Sequence, residues 1–204
     1  MVGRPTSLIA VAILVAACGI PPATPALPSA NPLPRTSLLP ATAEPPVESA
    51  AASTATVPID PALRTVLPPA VDGLPVQPAP EADAVAAADP VVIANAEAVV
   101  TALAIDPAGA DFAFATVVRL KPGAFDEGLF RTWRDSFDAG ACSQAAGVRG
   151  HAEADIGGRH AYLGTCVGGL RTYHVWLSDP RLLVSVSGLG ERRLGEQLIA
   201  DIRE

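Results

Sequence analysis

The stretch VRGHAEADIGGRHAYLGTCVGGLRTYHVWLSDPRLLVSVS, residues 148–187, decides the fold. It contains four runs in which apolar and polar residues alternate, rich in β-branched and aromatic side chains, the pattern of half-buried strands. Gly157-Gly158 and Gly168-Gly169 separate the first three runs. Paired glycines supply the positive φ that tight hairpin turns require. Ser178-Asp179-Pro180-Arg181 separates the third run from the fourth. The segment therefore reads as a four-strand antiparallel meander.

Upstream, FAFATVVRL (112–120) alternates in the same way and reads as a strand, while EAVVTALAI (97–105) is compatible with strand or helix and is taken as a strand. The turn-forming DPAGAD (106–111) would close the two into a hairpin. Between hairpin and meander, Phe125, Leu129, Phe130, Trp133 and Phe137 recur at helical spacing, which predicts an amphipathic helix over 124–138 with Gly140 as its cap. Leu194, Leu198 and Ile202 predict a second one over 190–203. Residues 81–95 read as alanine-rich helix broken at Asp89-Pro90, where Pro can open a new first turn. The expected fold class is α+β: a hairpin plus a four-strand meander in one antiparallel sheet, with the two amphipathic helices packed on one face. In order of elements alone this resembles PsbP-like α+β domains, a likeness that carries no function.

The chain is acidic, with net charge −7 and no clustered basic stretch, which argues against nucleic-acid binding. Half of its residues are hydrophobic but only 4% are aromatic, so alanine inflates the apolar count and the core must rest on few large side chains. Sixteen of the 21 prolines fall between residues 19 and 80. A Pro/Ala/Ser/Thr-rich tether is therefore expected over 18–70, preceding a globular domain over 71–204. Fifty residues of polyproline-like chain could reach on the order of 150 Å.

Leu8 to Ala17 is an apolar run of ten residues behind Arg4. That is short of the ~20 needed to span a bilayer and suits the core of a secretory signal. Val15-Ala16-Ala17-Cys18 closes the run and resembles the lipobox of bacterial lipoproteins. The resemblance implies removal of residues 1–17, lipid on the Cys18 sulfur, and an extracytoplasmic protein anchored through Cys18 to membrane lipid. Two or more acyl chains are needed for a stable anchor. In a diderm host, Gly19 after the lipidated cysteine would resemble outer-membrane sorting. The alternative is an ordinary secretory signal that happens to abut a cysteine. If Cys18 carries lipid, Cys142 and Cys166 are left as an even pair able to form a disulfide, the alternative being two buried thiols.

No catalytic motif stands out. His151, His160 and His174 all fall on expected strands and form no HxxxH pair. A zinc site across strands with Glu153 or Asp155 is an open alternative, as is a Ser-His-Asp triad without a GxSxG context. SVSGLGERRLG (185–195) follows a strand and opens a helix but matches no phosphate-binding pattern. The densest cluster of large and polar groups is GGLRTYHVWL (168–177). Alternation sets Arg171, Tyr173, Val175 and Leu177 against Thr172, His174 and Trp176. Arg171, His174 and Trp176 are the candidate binding patch, for an envelope protein or glycan. The leading reading is a non-enzymatic envelope binding module with no cofactor and no metal. An envelope hydrolase or metal-dependent enzyme using the histidines, and a structural spacer, are the alternatives.

Overall fold

The computed structural model describes residues 55–177, 179 and 181–203. The expected signal segment, Cys18 and most of the tether lie outside the described residues. The elements are β1 (Ala70–Val71), β2 (Leu74–Pro75), β3 (Gln77–Pro78), α1 (Pro80–Ala87), α2 (Pro90–Asn95), β4 (Ala96–Ile105), β5 (Phe112–Leu120), α3 (Glu127–Cys142), β6 (Val148–Ile156), β7 (Arg159–Cys166), β8 (Arg171–Trp176), β9 (Leu182–Leu189) and α4 (Leu194–Ala200). A seven-stranded antiparallel sheet runs β3-β4-β5-β9-β8-β7-β6, and β1 and β2 form a small separate ladder. The fold class is α+β, with the expected hairpin (β4–β5) and meander (β6 to β9). The two are joined where β9 pairs along β5, Phe112 opposite Leu189 through Arg119 opposite Leu182.

The two amphipathic helices do not share a face. Leu194, Leu198 and Ile199 of α4 pack with Tyr173, Val175, Val184 and Val186. Phe130 and Trp133 of α3 pack with Val99, Val118 and Leu183, whose side chains point the other way from the same strands. The reason is topological. The chain must travel from β5 to β6 past three intervening strands, and α3 makes that crossing over one face. The other face is left for α4. With both faces covered, the central strands are buried on both sides, so β4 has Val99 and Val100, adjacent residues, both fully buried.

The alanines find their use on the α4 face. Ala98, Ala102, Ala104, Ala113 and Ala115 form the floor of its core. Leu63 and Leu67 supply bulk above that floor. Packing therefore begins earlier than the composition suggested: Val57, Leu63 and Leu67 are buried ahead of Val71. Proline here marks a helix start. Pro61 opens a 3-10 turn over Pro61–Val66, and Asp60 Oδ1 accepts the Ala62 N–H at 2.9 Å. Asp89 does the same for α2, accepting from Val91 and Val92.

Helix α3 runs past Gly140 to Cys142, so Gly140 is not its cap. The chain turns out of the helix at Ala146 (φ 62°) and Gly147 (φ 90°) instead. The extra turn brings Cys142 over the end of β7, where it is bonded to Cys166 with the Cα atoms 5.2 Å apart. Thiol titration of the unreduced, unfolded domain should find neither Cys142 nor Cys166 reactive. Their joint replacement by Ser, which opens a loop with a separation of 24 residues, should cost about 3 kcal/mol in chemical denaturation.

Candidate functional site

Helix α3 carries an acidic residue on its buried side. Asp138 has 0% exposure. It lies in the last turns of the helix, where the backbone dipole disfavours a negative charge. Three side chains from two strands answer it. His174 Nε2 donates to Oδ1 at 2.8 Å, and the Thr172 hydroxyl donates to the same oxygen. His151 Nε2 donates to Oδ2 at 3.1 Å. Burial raises the Asp138 pKa and is the largest single influence. The hydrogen bonds from His174 and Thr172, with the nearby His174 and His151 rings, together outweigh it, so the carboxyl lies below its ordinary value.

An ionised carboxylate can only accept, and this sets the direction of the whole network. His174 must carry its proton on Nε2. Its Nδ1 lies 2.9 Å from the Ser185 oxygen, accepting the hydroxyl proton in the neutral ring and donating to the oxygen in the protonated one. The Ser185 oxygen in turn accepts the Trp133 indole N–H at 2.8 Å. The circuit runs Trp133, Ser185, His174, Asp138, and no buried side-chain nitrogen or oxygen among the described residues lacks a partner. Gly164 makes room for it. A Cβ there would sit 2.3 Å from Thr172 Oγ1 and 2.6 Å from Asp138 Oδ2.

Ser185, His174 and Asp138 follow the order of a hydrolase triad, but the hydroxyl cannot meet a substrate in this arrangement. Ser185 is 1% exposed and lies beneath the Trp133 indole. The network is instead a polar bolt that fastens α3 to β6, β8 and β9.

Beside the bolt is a cavity of about 410 Å³. Val85 and Ala86 of α1 and Val91 and Val92 of α2 form one wall, and Trp133, Phe137 and Ala141 of α3 form the other. Phe114 and Thr116 of β5 form the floor, with Ser187 of β9. Asp89 and Ser136, with Thr116 and Ser187 of the floor, add polar atoms to a mainly apolar lining. Val85 is 74% exposed, so apolar surface faces solvent at the α1 wall. Trp133 and Phe137 belong to both features: Phe137 meets the His174 ring edge-on at 5.2 Å.

The residues singled out from sequence are dispersed by this arrangement. Tyr173, Val175 and Leu177 are buried, as one of the two face assignments required. His174 on the opposite face is buried as well, because α3 covers that face too. Trp176 alone of its set reaches solvent, at 37% exposure, stacked on Tyr162 and edge-on to Phe125 and Phe130. Arg171 lies on the α4 face, in a polar groove with Tyr173, Glu191 and Arg193. Arg171, His174 and Trp176 thus form no common patch. His151 and His174 converge on Asp138, while exposed His160 pairs with Glu153 at 3.3 Å. Among the described residues no group of three or more His, Cys, Asp or Glu is placed to hold a metal ion. Asp138 and Ser185 escaped the sequence reading. The usable signal was that Asp138 sits four residues before Cys142 and eight after Phe130, on the row that faces the sheet.

Asp138→Asn should lower stability by about 2–4 kcal/mol, because fixed donors then face an amide. Folding lowers the Asp138 pKa, so its contribution is present above the unfolded carboxylate value, ~3.9, and is lost as pH falls through the lower folded value. Denaturation followed through the acid range should therefore show a steeper loss for the native chain than for Asp138→Asn. Equal slopes would mean that the carboxylate is not the group being titrated.

Comparison with protein-family models, with curated proteins and with solved structures finds no match to this chain.

Proposed function

We propose that this chain is a lipid-anchored extracytoplasmic protein whose folded domain is a non-catalytic binding module. The cavity between α1, α2 and α3 carries the ligand part of this reading. Its volume falls in the range of pockets that hold small molecules, about 300–1,000 Å³. Its walls are mainly apolar and it is flanked by few polar groups, Asp89, Thr116, Ser136 and Ser187. That combination suits an apolar ligand, such as a single acyl chain, with one polar end. The bolt keeps Trp133 and Phe137 in place, so the wall is formed before a ligand arrives and little ordering entropy is lost on binding.

The anchor part rests on Val15-Ala16-Ala17-Cys18 and the apolar run before it. No helix among the described residues is long and apolar enough to cross a membrane. Mass measurement of the mature N-terminus should find residues 1–17 removed and acyl mass on Cys18. An unmodified chain that retains residues 1–17 overturns the anchor.

For the ligand, a fatty acid with a fluorescent tail should bind the protein and transfer energy from Trp133. Ala141→Trp fills the cavity from the α3 side and Ala86→Phe from the α1 side. Each should weaken binding about tenfold or more while leaving the unfolding midpoint within a few degrees. Undiminished binding in both variants would place the ligand elsewhere.

A further inference from the structure

The two edges of the seven-stranded sheet are finished in opposite ways. At the β4 end, β3 is two residues long and carries Pro78, which has no N–H to offer. Where β3 stops, the buried Asp83 of α1 takes the Thr101 N–H in place of a strand. Farther along, Pro58 and Asp60 exchange backbone hydrogen bonds with Val99. That edge is closed by three separate devices. At the other end, β6 is nine residues long, and among the described residues β7 is its one sheet neighbour. Residues 148–155 are all exposed. A free edge of this length presents a row of backbone donors and acceptors to any extended strand.

The charges on β6 select the strand that fits. In chain order they are Arg149, His151, Glu153 and Asp155, basic in the first half and acidic in the second. Consider a second copy laid antiparallel about a two-fold axis at Ala152. Arg149 then faces Asp155 of the second copy, and symmetry repeats the pair; His151 and Glu153, opposed in the same register, are already engaged by Asp138 and His160 within each copy. Moving the axis to Glu153 sets that carboxylate against its own copy, and moving it to His151 sets imidazole against imidazole. Among in-phase registers near the centre, the Ala152 axis alone opposes Arg149 to Asp155. Arg149 and Asp155 have no ion-pair partner among the described residues, so their charges are available. The one irregularity of β6 in its pairing with β7 falls at Arg149, at the end of the proposed pairing, while residues 150–154 keep a regular register.

We propose that β6 is a homodimerisation edge. Two copies of this chain pair antiparallel through β6 about a two-fold axis at Ala152, and their sheets become one. The ion pairs are exposed, so the association is weak and salt-sensitive.

Sedimentation of the full chain carrying Cys18→Ser should show a monomer–dimer equilibrium that weakens in high salt. Asp155→Arg should lower the association constant about three- to tenfold, and Arg149→Glu with Asp155→Arg should restore it. Residues 149 and 155 are exposed, so the fold is kept, and an unchanged circular dichroism spectrum confirms that. In the same background, Ala152→Cys should oxidise to a covalent dimer much faster than Ala154→Cys, because residue 152 alone faces itself across the axis. A chain monomeric up to about 1 mM overturns the proposal. So does a dimer indifferent to Asp155→Arg, a charge swap that fails to restore association, or equal cross-linking at the two positions.

Discussion

A buried carboxylate holds this domain in its arrangement. Asp138 is enclosed by protein and lies near the wrong end of a helix for a negative charge, so it is tolerable only with donors held against it. Those donors come from β6 and β8, and satisfying them places α3 to within a hydrogen-bond length of the sheet. About one turn earlier, Trp133 reaches Ser185 of β9, and one turn later Cys142 is bonded to Cys166 of β7. Helix α3 is therefore fastened at three successive levels to four strands. Gly164 is the backbone condition for the middle one, since any side chain there would occupy the space of Asp138 and Thr172.

The cavity follows from that fastening. Because α3 is drawn to the β6 side by its bolt and its disulfide, it does not close against α1 and α2. The gap between them is floored by β5 and lined by small or apolar side chains. Trp133 shows the economy of the design: its N–H completes the polar circuit and its ring walls the apolar space. Core stability and cavity wall thus share side chains, and the wall inherits the rigidity of the core.

The sheet edges express a second constraint. Any open antiparallel sheet has two edges, and each must be blunted or used. The β4 edge is blunted by a proline, a carboxylate and a short bridge, all contributed by the segment between Val57 and Asp83. The part of that segment up to Ala70 looked like tether by composition, being rich in proline. Within the whole segment Pro61 and Pro80 open helices and Pro78 lies on the short edge strand, positions where a missing N–H costs nothing.

The sequence alone determined β5 and the four meander strands, their hairpin turns, the break at Asp89-Pro90 and the two amphipathic helices, and left 97–105 open between strand and helix. Each of those rests on local chemistry: alternation for a pleated strand, positive φ at paired glycines, a fixed φ at proline, and 3.6-residue spacing for a buried stripe. The pairing of β5 with β9, the placement of α3 and α4 on opposite faces, and the burial of His174 were decided by tertiary structure. Alternation says which residues share a face but not whether the other face will also be covered. That depended on the path of α3 from β5 to β6, a long-range property. The circuit of Trp133, Ser185, His174 and Asp138 is of the same kind. Its members span 133 to 185 and acquire meaning only when four elements meet, because a hydrogen bond is fixed by distance in space and leaves no period in the chain.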